Sequence, residues 1–273
     1  MGGQHSFSGE FDGEFALGPD GLHAYTGRDV LRGLISGIDE ALAAPRRSRD
    51  VGPCLIGCAP WMDDPELTGK LKQLAGACIV ITKQRRATRD LEKLNELHQV
   101  NAEAPGLPID AFSALCQLAP HVDGEPAVVG PYDRVGDVVL PTVRTLGFRQ
   151  KDRRLVPLMH AKLALLGMLW WHDEDALGHV ADVVGFRAHR LWVSSANFTS
   201  SSRRSLEHGF WTADPELVEG YQDFLLKLVA ASEGLDGEDE PRPQLLPLEY
   251  DDTAMAEAMS EMTWDASDED EDY

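Results

Sequence analysis

Apolar positions in the first hundred residues follow two patterns in turn, helical spacing and short unbroken runs. Between residues 26 and 44, apolar side chains recur three or four positions apart, at Leu31, Leu34, Ile35, Ile38 and Leu42. This spacing predicts an amphipathic helix packed on a core. The runs PCLIGCAPW (53–61) and ACIVIT (77–82) are almost wholly apolar and predict two buried strands.

Two further helices complete this pattern. Pro65 directly after Asp64 predicts a helix start with its cap, and ATRDLEKLNELHQVN (87–101) predicts another helix. Helices and strands that alternate with short connections are typical of a mixed or parallel sheet covered by helices. The order of elements therefore predicts an α/β fold.

The second half of the chain predicts more strands and one long helix. Strands are expected in RLVPLMHAKLALLGMLWW (154–171), HRLWVSSANF (189–198) and SLEHGFWTA (205–213). Residues 214–232 predict a capped helix. Its apolar side is expected to comprise Leu217, Val218, Tyr221, Phe224, Leu225 and Leu228.

Acidic residues are concentrated at the C-terminus. Of 46 Asp and Glu residues, 16 lie in 233–273 beside a single arginine, so this tail carries −15 of the net charge of −21. It lacks a sustained apolar pattern and is predicted to be largely disordered. Within it, a short helix could form with Met255, Met259 and Met262 on one face. The rest of the chain carries only −6 and has basic clusters at 46–49, 83–89, 149–154 and 203–204.

Composition predicts a globular cytoplasmic protein. No apolar run approaches the ~20 residues that cross a bilayer, and the N-terminus is not a secretory signal, so no membrane association is expected. Three of the four cysteines sit in apolar runs, as small buried residues do in a reducing compartment. A metal site at Cys54, Cys58 and Cys78 lacks a convincing fourth ligand, and neither metal nor cofactor is expected.

One segment interrupts the apolar pattern with two cationic groups. His160 and Lys162 lie two residues apart in PLMHAKLALLG (157–167), and alternate side chains of a strand share a face. Because burying an unpaired charge is costly, a bound anion is one explanation. A satisfied core histidine beside a lysine whose ammonium reaches solvent is the other.

Three short elements follow in order, HAK (160–162), SSAN (194–197) and SLEHG (205–209). Together they resemble the phospholipase D superfamily, whose motif is His-x-Lys followed by a Gly/Ser-Ser-x-Asn element and often a glutamate. The resemblance spans about residues 155–212. It implies an α/β fold with a mixed β-sheet flanked by helices on both faces.

The resemblance also implies phosphodiester chemistry without a metal. One histidine attacks phosphorus to give a phosphohistidine, and a second histidine protonates the leaving oxygen. Lysine and asparagine donate to the phosphoryl oxygens, and the glutamate fixes a histidine tautomer. The implied residues are His160, Lys162, Asn197 and Glu207 for catalysis, and Ser194 and Ser195 for substrate binding.

Two departures from the family pattern have consequences. Gly167 stands where the family often has an aspartate, so the orienting role falls to Glu207. Lys162 and Ser195 lie 33 residues apart, so an insertion at about 168–190 is expected to loop out near the site. A single motif supplies one histidine, and we therefore expect a homodimer with His160 of both chains in one site.

The domain prediction is an N-terminal extension (1–25), a catalytic domain (26–232) and the acidic tail. Small single-motif members of the family are more often DNA nucleases, so the resemblance favours a DNA nuclease, of restriction or phage-defence type. Partner proteins of a defence system are a further expectation. The basic clusters would contact phosphates. The alternatives are a non-catalytic subunit that binds nucleic acid or a partner, and a lipid phosphodiesterase.

Three features of the sequence can each be interpreted in two ways. The cluster from His172 to His179 fits a metal site or a solvated acidic loop. Trp170 and Trp171 fit base stacking or packing of the insertion. The acidic tail fits a polyanion mimic that occupies a basic groove and restrains cleavage, or a segment that keeps the protein in solution.

Overall fold

The structure of the chain is a computed structural model, which describes residues 11–17, 22–83, 91–120, 128–129, 138–148, 159–176, 179–236, 243–251 and 253. Most of the basic cluster 83–89 and all of 149–154 lie outside the described residues. The helix predicted around Met255, Met259 and Met262 also lies outside them.

Four α-helices and fourteen strands are formed by the described residues. The helices are α1 (Leu31–Ala43), α2 (Pro65–Leu71), α3 (Leu91–Glu103) and α4 (Pro215–Ala231). The strands are β1 (Gly13–Leu17), β2 (Leu22–Gly27), β3 (Asp50–Ala59), β4 (Gly76–Lys83), β5 (Leu107–Pro108), β6 (Leu118–Pro120), β7 (Val128–Val129), β8 (Val139–Leu140), β9 (Val143–Phe148), β10 (Leu163–Ala176), β11 (His179–Ser194), β12 (Glu207–Thr212), β13 (Leu245–Pro247) and β14 (Glu249–Tyr250).

Eight of these strands form one mixed sheet, in the order β1-β2-β12-β11-β10-β3-β4-β9. The strands β3, β4 and β9 run parallel to one another. All other neighbours in the sheet are antiparallel. The six short strands form three separate pairs.

Helices cover both faces of this sheet. Alternate side chains of β3 point to opposite faces, and Leu55 packs in one core with α1, α2 and α3. Its neighbour Ile56 packs in a second core with α4. The predicted α/β fold, with a mixed sheet flanked by helices on both faces, is confirmed.

Caps and backbone conformation determine where the helices begin. The Asp64 carboxylate accepts a hydrogen bond from the Leu67 amide at 3.0 Å, which confirms the predicted start of α2. The helix predicted from residue 26 begins only at Leu31. Gly27 and Asp29 adopt positive φ angles of 96° and 55°, which an α-helix does not allow.

Both predicted flanking segments contribute strands. In the segment predicted as an N-terminal extension, β1 pairs with β2, and β2 pairs with β12. At the other end, the start of the acidic tail is packed on the sheet. The buried Glu233 carboxylate accepts a hydrogen bond from the buried Lys83 ammonium at 2.8 Å, and Leu245 is also buried.

The insertion at about 168–190 lengthens a hairpin instead of forming a loop. Its residues pair in register from Leu163 opposite Val193 to Ala176 opposite His179. At ~3.3 Å per residue, the tip of this hairpin lies on the order of 40 Å along the strand from Leu163. The expectation that the insertion loops out near the site is wrong, because both strands simply continue away from it.

The packed side of α4 is narrower than the sequence indicated. The buried residues are Val218, Leu225, Leu226 and Val229. Leu217 and Phe224, predicted on the packed side, are 45% and 41% exposed. No helix in the described part of the chain is long and apolar enough to span a membrane.

Candidate functional site

The three motif elements meet at one end of the sheet. Leu163, the first residue of β10, pairs with Val193 near the end of β11 and with Cys58 near the end of β3. Ser194, the last residue of β11, pairs with Gly209 of β12. Strand register therefore brings HAK, SSAN and SLEHG together, although about 45 residues separate the first from the last.

His160 and Lys162 lie just before β10, outside the regular strand. Their side chains nevertheless meet, because the Lys162 ammonium lies 3.2 Å from His160 Nδ1 and donates to the His160 carbonyl oxygen at 3.0 Å. The His160 side chain is exposed. The core-histidine interpretation is therefore wrong.

Burial and charge act in opposite directions on Lys162. Partial burial lowers the pKa of its ammonium, while the nearby Glu207 carboxylate and the Cys58 thiol act to raise it. The net pKa shift is downward. Lys162 is thus a cation that has lost part of its hydration, which strengthens its attraction for an anion.

The serines of SSAN connect β11 to β12. The Ser195 hydroxyl donates to the Glu207 carboxylate and accepts from the His208 amide at 3.0 Å. The Ser194 hydroxyl donates to the His208 carbonyl oxygen at 2.8 Å and accepts from the Ala196 amide at 2.9 Å. These contacts hold the SSAN turn beside the first residue of β12.

Asn197 carries an unsatisfied polar group. Its Oδ1 atom is buried and has no hydrogen-bond partner among the described residues. The neighbours Ala196 and Phe198 are buried in the core, which fixes the backbone at Asn197. Buried polar atoms are nearly always hydrogen-bonded, so this acceptor oxygen lacks the donor that such an atom normally has.

An open cavity of about 370 Å³ lies over these elements. Its lining comprises His160, Ala161, Lys162, Leu163, Val193, Ser194, Ser195, Tyr221 and Phe224. Four of the six predicted site residues therefore line one cavity. Asn197 and Glu207 are not in its lining, although Glu207 is bonded to Ser195, which is.

The contact between Lys162 and His160 bears on the tautomer of the histidine ring. When Lys162 donates to Nδ1 of His160, a neutral ring carries its proton on Nε2. That form can donate a proton but cannot attack through Nε2. The carboxylate predicted to fix a histidine tautomer, Glu207, accepts a hydrogen bond from Ser195 and none from His160.

Sequence reasoning missed an ion-pair cluster that holds segment 198–206. Arg203 donates to both carboxylate oxygens of Asp64, at 2.6 and 2.9 Å, and also contacts Asp29 and Glu66. Burial is the largest single influence and would raise the pKa of Asp64, but the hydrogen bonds from Arg203 and from the Leu67 amide, together with the charge of Arg203, hold that pKa below its usual value. The sequence offered Asp64 only as a helix cap.

Several of the basic residues are not available to a phosphate backbone. Arg203 and Lys83 are committed to carboxylates within the chain. The cluster 46–49 precedes Asp50, which starts β3 at the end of the sheet away from the cavity, roughly 25 Å along the strand from Cys58. Arg204, three residues before Glu207, stays exposed.

The metal interpretation of the segment from His172 to His179 gains no support, and most of its side chains lie outside the described residues. Where side chains are described, no group of three His, Cys, Asp or Glu residues could hold a metal ion. The thiols of Cys58 and Cys78 are buried, which raises the pKa of each to about 12. These cysteines are protonated core residues.

No protein-family model matches the sequence, and no curated protein matches it. The structure is similar to that of NucT from Helicobacter pylori, with a TM-score of 0.44, 14% identity, and coverage of 78% of this chain and 98% of that one. It is also similar to Nuc from Salmonella typhimurium, a phospholipase D family member. That match has a TM-score of 0.40, 13% identity, and coverage of 76% of this chain and 93% of that one.

Likeness of this degree carries no information about activity. A function for this chain is therefore inferred from its own side chains and their geometry.

Proposed function

We propose that this protein is a metal-independent phosphodiesterase that cleaves DNA. The observation that carries the proposal is the meeting of His160 and Lys162, 3.2 Å apart, with Ser194 and Ser195 around one open cavity. Cleavage of a phosphodiester needs a nucleophile that attacks phosphorus and cations near the phosphoryl oxygens. These four side chains supply both in a space of suitable size.

The proposed reaction has two steps. An unprotonated Nε2 of His160 attacks phosphorus, and the bond to the leaving oxygen breaks while a second, protonated histidine gives that oxygen its proton. Water then attacks the phosphohistidine, releasing His160, and the second histidine takes the proton of the water. Lys162 and Asn197 would donate to the phosphoryl oxygens throughout.

The second histidine is proposed to come from a second copy of the chain. Each subunit carries a single His-x-Lys motif, and a two-fold axis at the cavity would place His160 of both subunits on one phosphorus. The two roles would need different proton states of the histidine ring. With Lys162 on Nδ1, the ring is a donor, and the attacking ring needs a carboxylate at Nδ1, for which Glu207 would leave Ser195.

DNA is favoured over lipid by the single His-x-Lys motif, since lipid enzymes of the superfamily that the sequence resembles usually carry two motifs in one longer chain. A role in restriction or phage defence belongs to this proposal as the expected setting. The rivals are a subunit that binds DNA without cutting it and a lipid phosphodiesterase.

The test is incubation of supercoiled plasmid with the protein in EDTA. The wild type is expected to nick the plasmid, and His160→Ala is expected to abolish nicking. The matched control is His23→Ala, which removes an exposed histidine at the far end of β2 and is expected to nick normally.

Each rival has its own outcome. Plasmid that is shifted on a gel but never nicked supports the binding subunit. Cleavage of phosphatidylcholine with no action on plasmid supports the lipid enzyme. Nicking that persists in His160→Ala contradicts the proposal outright.

A further inference from the structure

The cavity beside His160 has an aromatic wall that the phosphodiester chemistry does not use. Tyr221 and Phe224 of α4 line it together with the motif residues. Their rings form an edge-to-face pair with centroids 6.5 Å apart at 87°. Tyr221 is partly buried against the core that contains Leu225, whereas Phe224 is 41% exposed.

The wall follows from the way α4 packs. Val218, Leu225 and Val229 face the core, while Tyr221 and Phe224, three residues apart, lie on an adjacent face of the helix. Leu217 lies one turn before Tyr221 and is 45% exposed. The helix therefore presents a second apolar stripe outside the core, which marks an interaction surface more often than single exposed residues do.

The two walls of the cavity suit two parts of one ligand. Lys162 and His160 offer a cation and an imidazole, which suit a phosphate. Tyr221 and Phe224 offer flat apolar rings, which suit a nucleobase. A phosphate beside a planar heterocycle is a nucleotide, and a cavity of about 370 Å³ lies within the usual range for small ligands.

We propose that Tyr221 and Phe224 form a stacking subsite for an unpaired nucleobase next to the scissile phosphate. The inference rests on the proposed function and names its substrate class as single-stranded or locally unpaired DNA. In a duplex both faces of a base are covered by its neighbours, so a base must leave the stack to reach the aromatic wall.

The test uses an end-labelled thymidine oligonucleotide with one abasic position, and compares cleavage next to that position with cleavage elsewhere. Stacking on an aromatic side chain is worth ~1–3 kcal/mol per base, so wild-type cleavage should fall about tenfold or more beside the abasic position. In Phe224→Ala, intact positions should be cut about tenfold more slowly, and the abasic position should cause no further loss. Phe15→Ala, which removes an exposed phenylalanine of β1 outside the cavity lining, is the matched control and should behave as the wild type.

Three results would overturn the inference. The first is that the wild type cleaves equally at abasic and intact positions, a result that does not depend on the folding of any variant. A second is a Phe224→Ala protein that cuts more slowly but keeps the wild-type abasic penalty. A third is a Phe224→Ala protein that becomes monomeric in sedimentation, which assigns the wall to a second copy of the chain. Failure of the proposed function is a separate result, namely no cleavage of the intact oligonucleotide by the wild type.

Discussion

At the scale of single residues, the account depends most on the Lys162 ammonium. It contacts His160 at 3.2 Å and is partly stripped of water. Lys162→Met keeps the length of the side chain but loses the charge, so we expect kcat on DNA to fall about 10²–10³-fold, the usual loss when one oxyanion donor is removed. Steady-state cleavage of a labelled oligonucleotide measures this. A kcat within threefold of the wild type contradicts the role.

The ion pair of Asp64 and Arg203 predicts a dependence of stability on pH. The pKa of Asp64 is lower in the folded chain than its usual value of 3.8. Its contribution to stability is therefore complete above the unfolded pKa and is lost as pH falls through the folded pKa. Asp64→Asn keeps the helix cap but removes the charge. It should cost about 2 kcal/mol at pH 7, because Arg203 loses its charge-assisted hydrogen bonds to Asp64 but keeps its contacts with Asp29 and Glu66.

Urea unfolding of both proteins at pH 7 and pH 3 measures the difference, which should shrink at the lower pH. Asp214→Asn is the matched control, since Asp214 caps α4 through the Leu217 amide at 3.0 Å but is exposed. It should change stability by well under 1 kcal/mol. An equal loss for Asp64→Asn at both pH values would show that the charge plays no part.

Residue types and their order predicted that motif residues meet, and strand register brings four of the six predicted site residues to one cavity. Asn197 and Glu207 are not in the lining of that cavity. The proton arrangement was not predictable in this way. The hydrogen bond from Ser195 to Glu207, and the ion pairs that occupy Arg203, depend on side chains from elements far apart in the chain.

At the scale of elements, we expect the protein to tolerate a shorter hairpin between β10 and β11. Asp173 lies directly opposite Asp182, so residues 174–181 can be replaced by Asn-Gly, which forms a tight hairpin turn. Because the tip is far from the cavity, cleavage by the shortened protein should stay within twofold of the wild type under the same plasmid assay. A tenfold loss would place the hairpin in substrate binding after all.

Sequence patterns predicted elements well where local chemistry decides them and poorly where packing does. The Asp-Pro starts of α2 and α4 are local, and both appear where expected. The hairpin at 163–194 was missed because its acidic middle has little strand character, and its length is visible only in the pairing. The exposed position of Phe224 likewise depends on how α4 lies against the sheet.

At the scale of the whole molecule, the proposed shared site predicts how mixed subunits behave. If each reaction needs His160 from both chains, a dimer of wild type and His160→Ala is inactive. Activity of subunits that have exchanged to equilibrium should then fall with the square of the wild-type fraction. Plasmid nicking across a series of mixing ratios measures this, and a linear fall would mean that each subunit works alone.

The central claim is that His160 attacks phosphorus, and quenched-reaction mass spectrometry tests it most directly. An oligonucleotide isotopically labelled at the cleaved phosphate is mixed with the protein in EDTA, and the reaction is stopped in alkali during the first turnover. The account predicts a phosphoramidate on the peptide that contains His160. Cleavage with the label on any other side chain contradicts it.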